Sequence, residues 1–160
     1  MSAAVDAFDS EAGYRDAIDM TLAGAGQEIR IFDRNLEGMA LDEPARSALL
    51  ATFLVGGNDR RIKIVVHDPE RLPQNFPRLM ALMRGHSHAV EIRQSPDHLR
   101  GVSDCQVLAD RKHGALRTHA DHARGKRYWD CPNDIHPWWQ RFDELWHESQ
   151  PCCPATSLGL

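Results

Sequence analysis

Three short runs rich in isoleucine and valine, EIRIF (28–32), RIKIVV (61–66) and AVEIRQ (89–94), are separated from one another by segments of helical periodicity. This alternation leaves few folds open. Strands that each pass through a helix before the next strand are brought side by side in parallel, with helices covering the sheet. Residues 10–24 form the first helical segment: Ser10 can cap it, and Tyr14, Ile18 and Leu22 make a stripe on one face. EPARSALLATFLVGG is the second, with Pro44 tolerated in its first turn and Gly56–Gly57 ending it. PQNFPRLMALMRG is the third, with Leu79, Leu82 and Met83 facing inward.

After the third strand the pattern changes. CQVLAD and GALRTH read as two strands joined by a turn over 111–114, a β-hairpin. A loop containing GKRYWDCPND follows. The last element is a helix over DIHPWWQRFDELWHES, whose stripe is Ile135, Trp138, Trp139, Phe142, Leu145 and Trp146. The order α-β-α-β-α-β-β-β-α predicts an α/β three-layer sandwich: a mostly parallel sheet with a C-terminal hairpin and helix. A chain of 160 residues makes one domain, placed at 1–150, with a disordered tail at 151–160.

At 42% hydrophobic and 26% charged residues the composition is that of a globular domain, and a net charge of −4 gives no overall attraction to polyanions. The charge is unevenly spread. The first fifty residues are acidic, whereas RKHGALRTHADHARGKR (111–127) is basic and carries His113, His119 and His122. That run reads as a solvated loop; the other reading is a basic face able to meet phosphate. No apolar run reaches the roughly 20 residues that span a bilayer. The N-terminus lacks a basic segment followed by an apolar one, so a cytoplasmic chain with reduced Cys105, Cys131, Cys152 and Cys153 is expected.

EIRIFDRNLEG, RRIKIVVHDPERL, QVLADRKHGALR and FDELWHESQP, spread over residues 12–151, resemble a family of uncharacterised bacterial phospholipase D-like domains. Some members sit behind a GNAT-type acetyltransferase domain. The resemblance implies the fold of one phospholipase D-like half, and halves of that kind pair, so a homodimer or a protein partner is expected. It also implies a motif, His-x-Lys-(x4)-Asp, in which histidine attacks phosphorus and lysine holds the phosphate oxygens. Two registers can be tried. His98-x-Arg100 puts Cys105 where aspartate should fall; Ser103-x-Cys105-(x4)-Asp110 follows the strand better but replaces both histidine and lysine. Neither is intact, which leaves His98 and Asp110 as weak catalytic candidates. At a strand end Asp110 also reads as a turn residue bonding nearby backbone N–H groups.

Ligands of open α/β sheets bind outside the carboxyl ends of the strands. That rule selects Asp33, Arg34 and Asn35 after the first strand, and His67 and Asp68 after the second, as a ligand site in which Arg34 could grip an anion. The competing reading pairs Asp33 and Arg34 with neighbouring loops. His119, His122 and Cys131, or His86 and His88, lack zinc-site spacing, so no metal is expected, and no cofactor. The sequence thus predicts a non-catalytic binding or regulatory module that takes a small anionic ligand, a nucleic acid or a protein. The alternatives are a diverged phosphodiesterase or nuclease, and an accessory domain of an acetyltransferase system. No acetyl-coenzyme A loop is present for acetyl transfer by the chain itself.

Overall fold

The computed structural model describes residues 2–153. An eight-stranded sheet runs through the chain, and its first strand, β1 (Ala4–Phe8), was not expected from the sequence. Helix α1 (Glu11–Gly24) follows, with the Ser10 hydroxyl accepting from the Gly13 amide at 3.0 Å as an N-cap. Then come β2 (Glu28–Asp33), α2 (Pro44–Val55) and β3 (Arg61–Val66). The third helical segment is two helices, α3 (Leu72–Asn75) and α4 (Pro77–Gly85). They break at Phe76 because the residue before a proline is pushed out of helical geometry. β4 (Val90–Gln94) and a single 3₁₀ turn lead to β5 (Cys105–Ala109), β6 (His113–His119) and β7 (His122–Trp129). Helix α5 (Pro132–Glu148) and the two-residue β8 (Gln150–Pro151) complete the described chain.

The strand order is β1-β7-β6-β5-β2-β3-β4-β8. Only the β2–β3 and β3–β4 pairs are parallel; the other five are antiparallel. The sheet is therefore mixed rather than mostly parallel. The three runs read from the sequence do form the parallel part, but β5, β6, β7 and β1 extend it as a meander. The β5–β6 turn is tight: Asp110 (φ 56°) and Arg111 (φ 65°) are both left-handed, and Lys112 N–H donates to the Ala109 carbonyl. The basic stretch after it is strand rather than loop. β6 and β7 approach so closely that a Cβ on Gly125 would lie 1.9 Å from the Leu116 carbonyl oxygen.

The three layers are as expected. On one face α1, α2 and α4 cover Ile29, Ile31, Ile62, Ile64, Ile92 and Val107. On the other, α5 lays Ile135, Trp139, Phe142 and Trp146 on Phe32, Val65, Leu108 and Leu116. Of the tail expected over 151–160, Pro151 pairs with Arg93 and Cys152 N–H donates to the Ile92 carbonyl. Residues 154–160 lie outside those described. No helix among the described residues is long and apolar enough to cross a membrane.

Candidate functional site

The carboxyl ends of β2, β3 and β4 meet the start of β5 and the end of β6 along one edge of the sheet. The five residues selected from the sequence all lie at this edge, but they do not converge on one point. Asp33, buried, turns its carboxylate back onto its own loop and accepts from the amides of Asn35 (3.1 Å) and Leu36 (2.6 Å). The turn it stabilises holds Leu36 at φ 70°. Asn35 caps Glu37 in the same manner. Arg34 uses its carbonyl to receive the amides of His67 and Asp68, which ties the β2 exit to the β3 exit. Its guanidinium is about half exposed and lies 3.7 Å from Asp121.

His67 is buried, and both ring nitrogens are engaged. Nε2 donates to the Val102 carbonyl at 2.7 Å, which leaves Nδ1 to accept from the Ser95 hydroxyl at 2.5 Å. The ring meets Phe32 edge-on. Asp68 pairs with Arg100 at 2.5 Å. Between these exits lies a hollow of about 410 Å3 lined by Asn35, Glu37, Asp68, Glu70, Arg71 and Phe76.

Cys105 stands opposite Arg117 on β6 and beside Asp33, on the side of the sheet that faces α1. Burial and the Asp33 carboxylate push its thiol well above the usual range, so it stays protonated and unreactive. Arg117 is 5% exposed and all three of its nitrogens are engaged. Nε donates to the carbonyls of His119 and His122, the two terminal nitrogens grip Glu11 end-on at 3.0 and 3.1 Å, and one of them also reaches the Ala120 carbonyl. Tyr14 packs under the guanidinium; burial, and then Cys105 and Asp33, raise its phenol, and its hydroxyl has no partner among the described residues. Sequence reasoning passed over Arg117 and Glu11, and read Tyr14 only as part of the α1 stripe. A signal existed: alternation in GALRTH puts an arginine on the same face as the buried Ala115.

The two weak catalytic candidates are far apart in the fold. Asp110 lies at the other end of β5 from Cys105, about 17 Å away for five extended residues. Its carboxylate accepts from three successive amides, Gly26 (2.8 Å), Gln27 (2.8 Å) and Glu28 (3.0 Å), at the entry to β2. His98 sits on the exposed 3₁₀ turn, 3.2 Å from Glu148, while Arg100 turns to Asp68. No cluster of three or more His, Cys, Asp or Glu with metal-ligand placement occurs among the described residues.

A family model described as "Domain of unknown function (DUF7931)" matches residues 10–158. No curated protein matches the sequence. Among solved structures, the phospholipase D family member Nuc from Salmonella typhimurium superposes with a TM-score of 0.68 at 12% identity, over 94% of this chain and 99% of Nuc. TrmBL2, an archaeal chromatin protein, superposes at 0.67 and 14% identity, over 92% of this chain and 54% of its own. Phosphatidylserine synthase from Haemophilus influenzae Rd KW20 does so at 0.63 and 15%, over 98% and 41%. At these identities the likeness is one of fold: the chain has the α/β fold of phospholipase D-family structures.

Proposed function

The chain belongs to the family described as Domain of unknown function (DUF7931), and from that premise we propose that it is a phospholipase D-fold domain that binds rather than hydrolyses. The observation that carries this reading is Arg117. A phosphoryl-transfer site needs cations whose donors are free to meet phosphate oxygens as charge develops. Here the cation at the strand edge is buried and closed off by Glu11 and three carbonyls. Ser103 and Cys105 occupy the positions at which the motif would carry histidine and lysine, and His67 spends both ring nitrogens on structure.

The ligand surface is the edge around the β2 and β3 exits. With Asp68 paired to Arg100, Glu37 and Glu70 still outnumber Arg71 in the hollow, so a cationic group enters it more readily than an anion. An anion would be held instead by the half-exposed Arg34. Pairing with a second copy, and work in a bacterial cytoplasm, belong to the same proposal; mass determination in solution tests the first.

The hydrolysis arm is tested with bis-p-nitrophenyl phosphate. No turnover above a mock preparation is expected. Turnover abolished by His98→Ala or Asp110→Asn would sink the reading. The binding arm is a thermal-shift comparison of spermidine and inorganic phosphate. A spermidine shift lost in Glu70→Gln, or a phosphate shift lost in Arg34→Ala, supports the edge as the site; no shift with either probe counts against it.

A further inference from the structure

Register puts Val5 opposite Tyr128 and Ala7 opposite Lys126, and on the other side of β7 puts Leu116 opposite Lys126. Directly paired residues share a face, so all of these lie on the α5 side of the sheet. Helix α5 covers the middle of that side, over Phe32, Val65, Leu108 and Leu116, and no β1 residue belongs to the clusters it forms there. An uncovered antiparallel face is ordinarily polar. This one carries apolar and aromatic groups among its polar ones: Val5 is 48% exposed, and Tyr128 and Trp138 are half-buried.

A hollow of about 360 Å3 lies there, lined by Leu116, Thr118, Arg124, Lys126, Tyr128 and Trp138. Arg124 and Lys126, two residues apart on β7, both line this hollow. Neither has a carboxylate partner among the described residues. Burial, and then Asp134, raise the Tyr128 phenol, so the ring is neutral. Arg141, gripped end-on by Asp104, lies 5.5 Å from the Trp138 ring centre and backs the indole.

We propose that this face binds single-stranded nucleic acid, with bases against Tyr128 and Trp138 and backbone phosphates on Arg124 and Lys126. Flat rings accept the π-face of any base, and adjacent cations follow the backbone. In a chain of net charge −4, two unpaired cations beside two rings form a local attraction for a polyanion. A duplex hides its base faces in the stack and leaves the rings without partners. An acidic peptide satisfies the cations and leaves the rings equally idle. The face is distinct from the strand-exit edge, so either proposal can fail without the other.

The test is fluorescence anisotropy of labelled oligo(dT) with the full chain over a salt series. Saturable binding is expected, with log K falling against log[salt] at a slope of about −1.4, the value for two neutralised phosphates on a single strand. Arg124→Glu combined with Lys126→Glu removes the salt-dependent component. Trp138→Ala weakens binding about tenfold at unchanged slope, as lost stacking should. Lys126→Glu alone, an exposed change that leaves the melting temperature unaltered, about halves the slope. No binding at low salt would overturn the proposal. So would binding indifferent to these changes, or displacement of the strand by poly-glutamate at equal charge.

Discussion

The Arg30 guanidinium lies over Trp139, 3.9 Å from the ring centre, and donates to the carbonyl of that same residue at 2.8 Å. Its remaining nitrogens meet Glu28 and Asp143. Arg93, two strands away, repeats the arrangement on Trp146, with its carbon 4.0 Å from the ring and a 2.9 Å bond to the carbonyl. Two arginines from the sheet therefore hold the two ends of the α5 aromatic stripe. Cation–π contact and hydrogen bonding to one residue fix both the position and the rotation of the helix.

Replacing Arg30 by alanine leaves the Trp139 ring without its lid and Glu28 and Asp143 without their shared cation. Asp143 is half exposed, so water recovers part of the loss. The expected cost is about 2–3 kcal/mol, below that of breaking a fully buried pair. Chemical denaturation reads it as a shift in midpoint at constant slope. Lysine at this position keeps the charge but not the planar fork, and is expected to recover less than half.

The parallel core and α5 were legible because their signals are periodic and strong: Ile29 and Ile31 alternate, and the α5 stripe recurs every three or four residues. β1 and β7 were not. AVDAF is a short edge strand whose middle three residues are exposed, and HARGKRYW alternates cations with small residues, which reads as a solvated loop. Sheet membership of both comes from pairing with each other and with β6, which no local window contains. The strand-end rule selected Asp33, Arg34, Asn35, His67 and Asp68, and all five lie along one edge of the sheet. It could not say that Asp33 and His67 would turn inward, because their partners, Leu36, Ser95 and Val102, are set by loop geometry.

Asp110 is expected to act on stability. Its carboxylate satisfies three consecutive amides at the β2 entry. Asp110→Ala should cost about 1–3 kcal/mol, since two of the three amides are part-buried and the third, exposed, can turn to water. Asparagine, which keeps one acceptor oxygen, should cost less. The melting temperature reads the order alanine below asparagine below aspartate. Equal melting temperatures for all three would remove the structural role assigned to this side chain.

His113 should make the fold acid-sensitive. Its ring is buried and stacked 3.9 Å from the Trp129 ring, and Nδ1 accepts from the Asp130 amide at 2.9 Å. Burial, and then Lys112, lower its affinity for a proton. The unfolded chain, with an ordinary imidazole near pH 6.5, then binds the proton first. Stability is present above that pH and is lost as pH falls through the depressed folded value. His113→Asn offers an acceptor to Asp130 but cannot titrate. In denaturation curves between about pH 6.5 and 5, the variant should show a smaller loss of stability than the parent.

Of the cysteines, Cys153 is the one expected to react. The adjoining Cys152 thiol lowers Cys153 to about 7, whereas Cys152, its own Sγ 3.6 Å from the Ile92 carbonyl, is pushed up, first by Cys153 and then by burial. Cys105 is buried and raised, and Cys131 is buried with its thiol directed at the Ala4 and Trp129 carbonyls. A thiolate is the nucleophile toward alkylating agents, so one residue of the four should label fast in native protein, with a pH profile centred near 7. Peptide mapping after brief iodoacetamide treatment should place the label on Cys153. Replacing Cys152 by serine removes the adjoining thiol, and should move the profile up toward the ordinary cysteine value of about 8.5. An unchanged profile in that variant would show that the neighbouring thiol is not what activates Cys153.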